Sequence, residues 1–306
     1  MFGVLRARVG ALISLLWLCL VAAIGVACGG GTGTSAVQTP VPANQPTFAH
    51  VVLVIEENHS FADVIGNSSM PYLNGQAQKY GLAAQYFATA HPSLPNYLML
   101  TTGQMETFDD NFAGVINDDH VFRELGKAGK SWRVYAESLP QVGYLGADAY
   151  PYVRRHNPAT YFQDIQDDSS QAANVVPFSQ FASDLSNNSL PQFSFVVPDM
   201  LDDAHDGSLG QADAWLQQNI DPLINNPAFQ SSGLLIITFD ESDQSDTEHG
   251  GGHVATVIIS SKSKMNHTSQ TTYLHPSPLR LILEASGVGT FPGAAAVAPD
   301  MTEFFQ

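Results

Sequence analysis

Cysteine is almost missing from this chain of 306 residues: only Cys19 and Cys28 occur, both near the N-terminus. The rest of the sequence therefore holds no disulfide and no thiol chemistry. Stability has to come from the core, with a bound metal as the remaining kind of staple. Basic residues are scarce as well. Twelve Lys and Arg stand against 29 Asp and Glu, a formal net charge of −17. That balance excludes nucleic acid as a partner and polybasic-type adhesion to anionic lipid. It also leaves any phosphate-bearing ligand dependent on local cationic charge, which points to a metal ion. Against these absences, 44% hydrophobic and 10% aromatic residues exclude a disordered chain. The length fits one large domain or two small ones.

Long apolar runs are confined to the N-terminus. Arg6 and Arg8 precede an apolar stretch over 11–28, the layout of an export signal. Small residues at Gly25 and Ala27 stand just before Cys28, and a Gly/Thr/Ser then Pro/Gln/Ala stretch follows to Pro46. The segment resembles a bacterial lipoprotein signal, although Gly25 stands where Leu or Val is usual. Residues 1–28 are then the signal with Cys28 lipidated, 29–46 a flexible linker, and 47–306 the catalytic domain. Secretion without an anchor and a retained membrane helix are the alternatives. In either exported case the protein is extracytoplasmic, with lipid anchoring as its membrane contact.

From His50 onward, β and α patterns alternate. Residues 50–57 form a continuous apolar run ending in acid, as in a buried parallel strand. Further strands are expected at 82–87, 131–136, Phe193–Val197, Gly233–Phe239 and 253–259. Helices are expected at 71–80, 121–129, 211–220 and 276–286, the last stopping at Gly287. The pattern predicts one α/β domain with a mainly parallel central sheet covered by helices on both faces. Three long, turn-rich connections, 104–119, 138–170 and 242–252, interrupt it, and such loops usually carry function.

Polar chemistry collects where strands end. The first strand gives Glu56-Glu-Asn-His-Ser60, the strand at 193–197 leads to Asp199 and Asp202-Asp-Ala-His-Asp206, and that at 233–239 gives Asp240-Glu-Ser-Asp243. Ligands of open α/β sheets bind outside the carboxyl ends of strands. Carboxylates gathered there repel one another unless a cation holds them. Each cluster alone is also ordinary turn chemistry. Ser93 adds a nucleophile: flanked by Pro92 and Pro95, it begins a helix ending at Gly103. A helix start favours an anion, and a serine there serves as an N-cap as readily as a nucleophile. Histidines 205, 275 and 253, in that order, are candidates to hold phosphate or protonate a leaving group. Arg154-Arg155-His156 supplies rare cations on the second long loop.

These residues resemble the signature blocks of the bacterial phosphoesterase family, which embraces secreted acid phosphatases and phospholipases C within the alkaline phosphatase superfamily. The blocks are Glu57-Asn-His-Ser-Phe61, His91-Pro-Ser-Leu-Pro-Asn-Tyr97, Asp203-Ala-His-Asp206 and Phe239-Asp-Glu-Ser242. The resemblance runs over 47–305 and is nearest the short branch that includes a secreted acid phosphatase of mycobacteria. It implies an alkaline-phosphatase-like three-layer sandwich. It implies a divalent metal held by Glu57, Asn58, Asp203, Asp240 and Glu241, with Ser93 as nucleophile beside His205 and His275. Asn96, Arg155, His156 and His253 would contact substrate. Asp199 stands where Asn is common, and Ala204 where Met is common.

The function this predicts is hydrolysis of phosphate monoesters through a phosphoserine, with phosphorylated small molecules or phospholipid head groups as partners. A phospholipase C or other phosphodiesterase is the alternative within the same chemistry. A lipoprotein that binds phosphorylated ligands without turnover is the alternative of another class, and it would not need Ser93.

Overall fold

A computed structural model describes residues 36–306. Its centre is an eight-stranded sheet built from β1 (His50–Glu56), β2 (Gly81–Ala83), β3 (Trp132–Ala136), β4 (Val175–Pro177), β5 (Phe193–Val197), β6 (Gly233–Phe239), β7 (Thr256–Ile259) and β8 (His267–Ser269). The order across the sheet is β8-β2-β7-β6-β1-β5-β3-β4. Every pairing is parallel except those of β7 with β2 and β6. The two central strands, β1 and β6, are buried along nearly their whole length, which is why they read as unbroken apolar runs. In register, Glu56 lies beside Phe239, so both chains leave the sheet at the same level.

Five helices position the site: α1 (Pro71–Lys79), α2 (Ser93–Thr102), α3 (Val121–Lys127), α4 (Leu209–Ile224) and α5 (Pro276–Ala285). One helical layer packs α2 against α3 and α5, and the other packs α1 against α4. The result is a three-layer α/β sandwich. Helix α2 ends at Gly103, whose φ of 67° is left-handed. A Cβ there would meet the Pro292 carbonyl at 2.6 Å, so glycine is needed twice over.

Three expectations are corrected. The strand expected over 253–259 begins only at Thr256 and runs antiparallel, a direction set by its pairing partners. The run 82–87 divides: Gly81–Ala83 joins the sheet, while Tyr86–Phe87 pairs separately with Tyr273–Leu274. The expected linker, 29–46, is seated on the domain from Ala36 onward. Val37–Gln38 pairs antiparallel with Thr290–Phe291, and the Ala36 N–H donates to Asp119 at 2.7 Å. The expected signal at 1–28 lies outside the described residues. No described helix is long and apolar enough to cross a membrane.

Candidate active site

Three connections meet at the carboxyl end of the sheet. Strand β1 continues into Glu57 and Asn58, the latter at a φ of 48°, a left-handed conformation that Asn tolerates. Strand β6 continues into Asp240 and Glu241, and the Asp240 N–H donates to the Glu56 carbonyl at 3.0 Å. The connection after β5 brings Asp203, whose carbonyl accepts the Glu57 N–H at 2.8 Å. All four acids, Glu57, Asp203, Asp240 and Glu241, are buried.

Ser93 enters this group from the first turn of α2. Its Oγ lies 3.0 Å from Glu57 Oε2 and 3.2 Å from Glu241 Oε1, so the hydroxyl donates to one carboxylate or the other. One helical turn later on the same face, the Tyr97 hydroxyl donates to Glu57 Oε1 at 2.5 Å. The far oxygen of Glu241 meets His91 Nδ1 at 2.5 Å, and His91 Nε2 donates to the Asp246 carbonyl. The imidazole of His156 stacks on Tyr97 at 5.0 Å between centroids and reaches between two acids. Its Nε2 is 3.3 Å from Glu57 Oε1 and its Nδ1 3.4 Å from Asp203 Oδ2, without a formed hydrogen bond to either.

The electrostatics follow from geometry. Burial first, and then mutual repulsion, pushes the Glu57 carboxyl well above its ordinary range, with Asp240 and Asp203 as the nearest like charges. Burial likewise raises Asp203, opposed by the His205 N–H and reinforced by Asp240. It raises Asp240, with Glu241 next, and pushes Glu241 up to about 8. Burial and then Arg155 push His156 down, toward the neutral imidazole that a metal ligand requires. Asn58 Oδ1, Asp203 Oδ2, Asp240 Oδ2 and both ring nitrogens of His156 are buried without a hydrogen-bond partner. Orphaned buried acceptors of this kind are costly unless something fills them. Glu57, His156 and Asp203 each offer a ligand atom within 4.8 Å of the others. This donor set of carboxylates, an amide oxygen and an imidazole fits a divalent cation.

The other expected residues fall into two groups. His205 lies at the site: its N–H donates to Asp203 Oδ1, its ring centroid is 6.2 Å from that of His156, and its Nδ1 meets Asp206 at 2.8 Å. Arg155 is close by, its Nε buried without a hydrogen-bond partner and 3.7 Å from Asp110 Oδ2. Asp110 in turn accepts the Leu94 N–H at 2.9 Å, which ties the arginine to the start of α2. Beside it opens a cleft of about 460 Å³ lined by Phe112, Arg154, Arg155 and Tyr161, among others.

The structure places Asn96, His253 and His275 otherwise than as substrate or phosphate contacts: the protein takes the polar atoms of Asn96 and His275, and one ring nitrogen of His253. The Asn96 amide oxygen accepts from Thr89 N, Thr89 Oγ1 and Ala90 N, and its nitrogen donates to the Ala90 carbonyl. It shapes the loop that presents Ser93. His253 is stacked against Phe61 and Phe87, with Nε2 on the Ala84 carbonyl. His275 is fully buried: Nε2 donates to the Asp240 carbonyl at 2.6 Å and Nδ1 accepts from Tyr86, while burial lowers its pKa to about 4. It positions Asp240 from behind. Gly250-Gly251 crosses the same loop, where a Cβ on Gly251 would lie 2.4 Å from the Ala90 carbonyl.

The site also contains His91, Tyr97 and Asp110, which the sequence pattern does not single out. His91 and Tyr97 carry a local signal, since they stand two residues before and four after Ser93. Asp110 carries only its place on the 104–119 connection.

The three-layer fold that carries this site is one that solved structures share. The chain superposes on an alkaline phosphatase superfamily protein from Vibrio parahaemolyticus with a TM-score of 0.57 and 13% identity, covering 88% of this chain and 72% of that one. It also matches the phosphonate monoester hydrolase SpPMH from Silicibacter pomeroyi at 0.55 and 12%, covering 84% and 76%. The fold is that of the alkaline phosphatase superfamily. The chain belongs to the Phosphoesterase family, whose model matches residues 67–289. That span holds Ser93, His156, Asp203, Asp240 and Glu241 and begins after Glu57 and Asn58. The phosphatidylinositol-3-phosphatase of Mycobacterium tuberculosis (strain ATCC 25618 / H37Rv) is 36% identical over 262 residues, 85% of this chain and 84% of that protein. An acid phosphatase of Aspergillus fumigatus is 33% identical over 194 residues, 60% of this chain and 43% of that one. The chain thus spans less than half the length of that fungal relative. It is a hydrolase of phosphate esters.

Proposed function

We propose that this chain is a metal-dependent phosphomonoesterase that works through a phosphoserine at Ser93. The observation that carries the reading is the Ser93 hydroxyl held between Glu57 and Glu241, beside buried oxygens of Asn58, Asp203 and Asp240 that have no hydrogen-bond partner among the described residues. Glu57, Asn58, Asp203, Asp240 and Glu241 would hold the cation, and His156 joins them. When bound, it neutralises charge on the phosphoryl oxygens and lowers the pKa of the serine hydroxyl. Ser93 gives up its proton to an adjacent carboxylate and attacks phosphorus, forming the Ser93 O–P bond as the ester P–O bond breaks. His205, partly open to solvent, protonates the departing alkoxide. Water then cleaves the phosphoserine. Arg155 grips a phosphoryl oxygen, and the adjoining cleft receives the rest of the ester.

Substrates of this reading are phosphorylated small molecules or phospholipid head groups, and the name of the mycobacterial relative supports the second class. The export and lipid anchoring inferred from residues 1–28 belong to the same proposal and place catalysis outside the cytoplasm. The test is turnover of p-nitrophenyl phosphate against bis(p-nitrophenyl) phosphate, joined to acid quenching to trap labelled phosphate on the chain. A preference for the diester would turn the reading into a phosphodiesterase. Label found on no residue, or on one other than Ser93, would overturn the phosphoserine.

A further inference from the structure

The two acids that flank the Ser93 hydroxyl are braced alike. Each turns one oxygen to Ser93 and the other to a second side chain from the same stretch of chain. Glu57 accepts the Ser93 hydroxyl at Oε2 and the Tyr97 hydroxyl at Oε1. Glu241 meets Ser93 at Oε1, 3.2 Å away, and His91 Nδ1 at Oε2, 2.5 Å away. Tyr97 closes the first brace from one turn along α2. His91 closes the second from two residues before Ser93. The Glu241 side chain is 2% exposed, so an oxygen that lost its partner there would find little water to replace it.

His91 has a fixed point to brace against. Its Nε2 lies 2.9 Å from the Asp246 carbonyl, which also accepts the Ser242 hydroxyl at 3.1 Å. Asp246 is itself tied down: its N–H donates to the Asp243 carbonyl, and its carboxylate accepts the Glu248 and His253 N–H groups. The backbone leading to His91 is held by the same connection. The Ala88 N–H donates to the Gly252 carbonyl at 2.9 Å, and the Gly251 N–H to the Ala88 carbonyl at 3.2 Å. Gly250 lies so near that a Cβ on it would come within 2.3 Å of the Thr89 carbonyl. The imidazole is a strut between a rigid turn of the 242–252 connection and Glu241.

We infer that His91 is the positioning residue for Glu241: by holding Oε2 against the 242–252 connection it keeps Oε1 facing Ser93. The inference deepens the proposed reaction at Ser93 and rests on it. A group that holds the far oxygen of a metal-binding carboxylate orients the near one, and its loss costs about 10–100-fold in ion affinity or turnover. The two contacts of the ring can be separated. In His91→Asn the amide stands at the place of Nδ1 and meets Glu241 but not Asp246. It offers both a donor and an acceptor, so it suits Oε2 whichever group holds the proton. In His91→Gln the amide stands at the place of Nε2 and meets Asp246 but not Glu241.

The experiment uses the full chain and reads kcat and KM for p-nitrophenyl phosphate, the thermal midpoint, and Mn²⁺ binding to stripped protein without substrate. His91→Gln should lower kcat about 10–100-fold and weaken Mn²⁺ binding about tenfold, with KM within about twofold of wild type. His91→Asn should bring kcat and Mn²⁺ binding back to within about threefold of wild type. The two midpoints should match, because each variant keeps one contact. Adding Glu241→Gln should erase the difference between them, since the group being positioned is then altered in both. Equal kcat for the two variants overturns the inference, and equal loss in both would make His91 a tether for the 242–252 connection. A loss confined to His91→Asn overturns it as well. Full activity of metal-free wild-type chain would instead overturn the metal in the proposed reaction, and the contrast in kcat would still decide the role of His91.

Discussion

Asp164 and Asp240 are acids of one chain in opposite surroundings. Asp164 is half-buried between two donors, the His120 imidazole (Nε2 at 2.9 Å) and the Arg123 guanidinium (Nε at 2.8 Å). Arg123 and Lys127 also reach Asp119 nearby. These contacts outweigh burial and hold both carboxyls below their usual range. Asp240 is fully buried beside Glu57, Asp203 and Glu241, and the same burial goes unopposed by any cation. A chain with 12 basic residues places Arg123 and Lys127 on α3, Arg133 on Asp184 and Arg280 on Glu284. At the strand ends it places, among the described residues, none but Arg155. Around Asp119, Asp164, Asp184 and Glu284 the protein supplies the counter-charge itself. At the strand ends it does not, and in the proposed reading a bound cation takes that part.

The largest effect that would test this contrast is at Ser93. Ser93→Ala removes the nucleophile and leaves the acids in place, so kcat should fall by roughly 10³-fold or more while the thermal midpoint holds. Steady-state kinetics and a melting curve check it. More than a tenth of the activity surviving would detach the acid cluster from catalysis.

Next comes the metal itself. Chelation should reduce kcat by about 100-fold or more, reversed by a divalent ion. The sharper measurement is stability in stripped protein. There, Asp240→Asn removes a repelled charge and should be neutral or stabilising by about 1 kcal/mol. Asp164→Asn breaks a satisfied pair and should cost about 1–2 kcal/mol, discounted for its partial exposure. If both substitutions destabilise stripped protein equally, the two regions do not differ as argued.

The same contrast explains which features are legible in the sequence. Strands β1, β5 and β6 are, because strands covered on both faces are unbroken apolar runs, and their acidic ends follow directly in the chain. Ser93 is legible from its prolines. The direction of β7 is not, since pairing with distant strands sets it. The sequence suggests a substrate contact for His156, because nothing local shows that a residue on the 138–170 connection stacks on Tyr97 and reaches Glu57. Asn96, His253 and His275 are suggested by neighbouring residues, yet a side chain's partners across the fold decide whether its polar atoms are free.

The pH response should also divide the two regions. Asp164 has a folded pKa below its unfolded value of about 3.9, so its stabilisation is present above that pH and is lost as pH falls through the folded value. The stability gap between wild type and Asp164→Asn should therefore close on acidification below about pH 4. Glu241 is pushed up to about 8, above an unfolded value of about 4.3. Between those values the folded chain binds the extra proton, so metal-free protein should gain stability as pH falls from 8 toward 4.3. Denaturant melts of stripped protein across that window check the slope. A metal-free chain whose stability rises steadily with pH there would contradict the unopposed charge.

The smallest effect concerns the one arginine at the strand ends. Among the described residues Arg155 is fixed by Asp110 at 3.7 Å from Nε and by Met200 Sδ at 3.6 Å from Nη2, and its Nε has no hydrogen-bond partner. A guanidinium so placed can grip a phosphoryl group through two parallel hydrogen bonds, a geometry that an ammonium does not reproduce. Arg155→Lys keeps the charge and loses the fork, so KM for monoesters should rise about threefold to tenfold with kcat and thermal midpoint nearly unchanged. Arg123→Lys, in the paired region, should do the reverse, lowering the midpoint slightly and leaving KM alone. Equal KM values for wild type and Arg155→Lys on every monoester tried would assign Arg155 to Asp110 as a structural pair. The bound cation would then be the only anchor for the phosphoryl group.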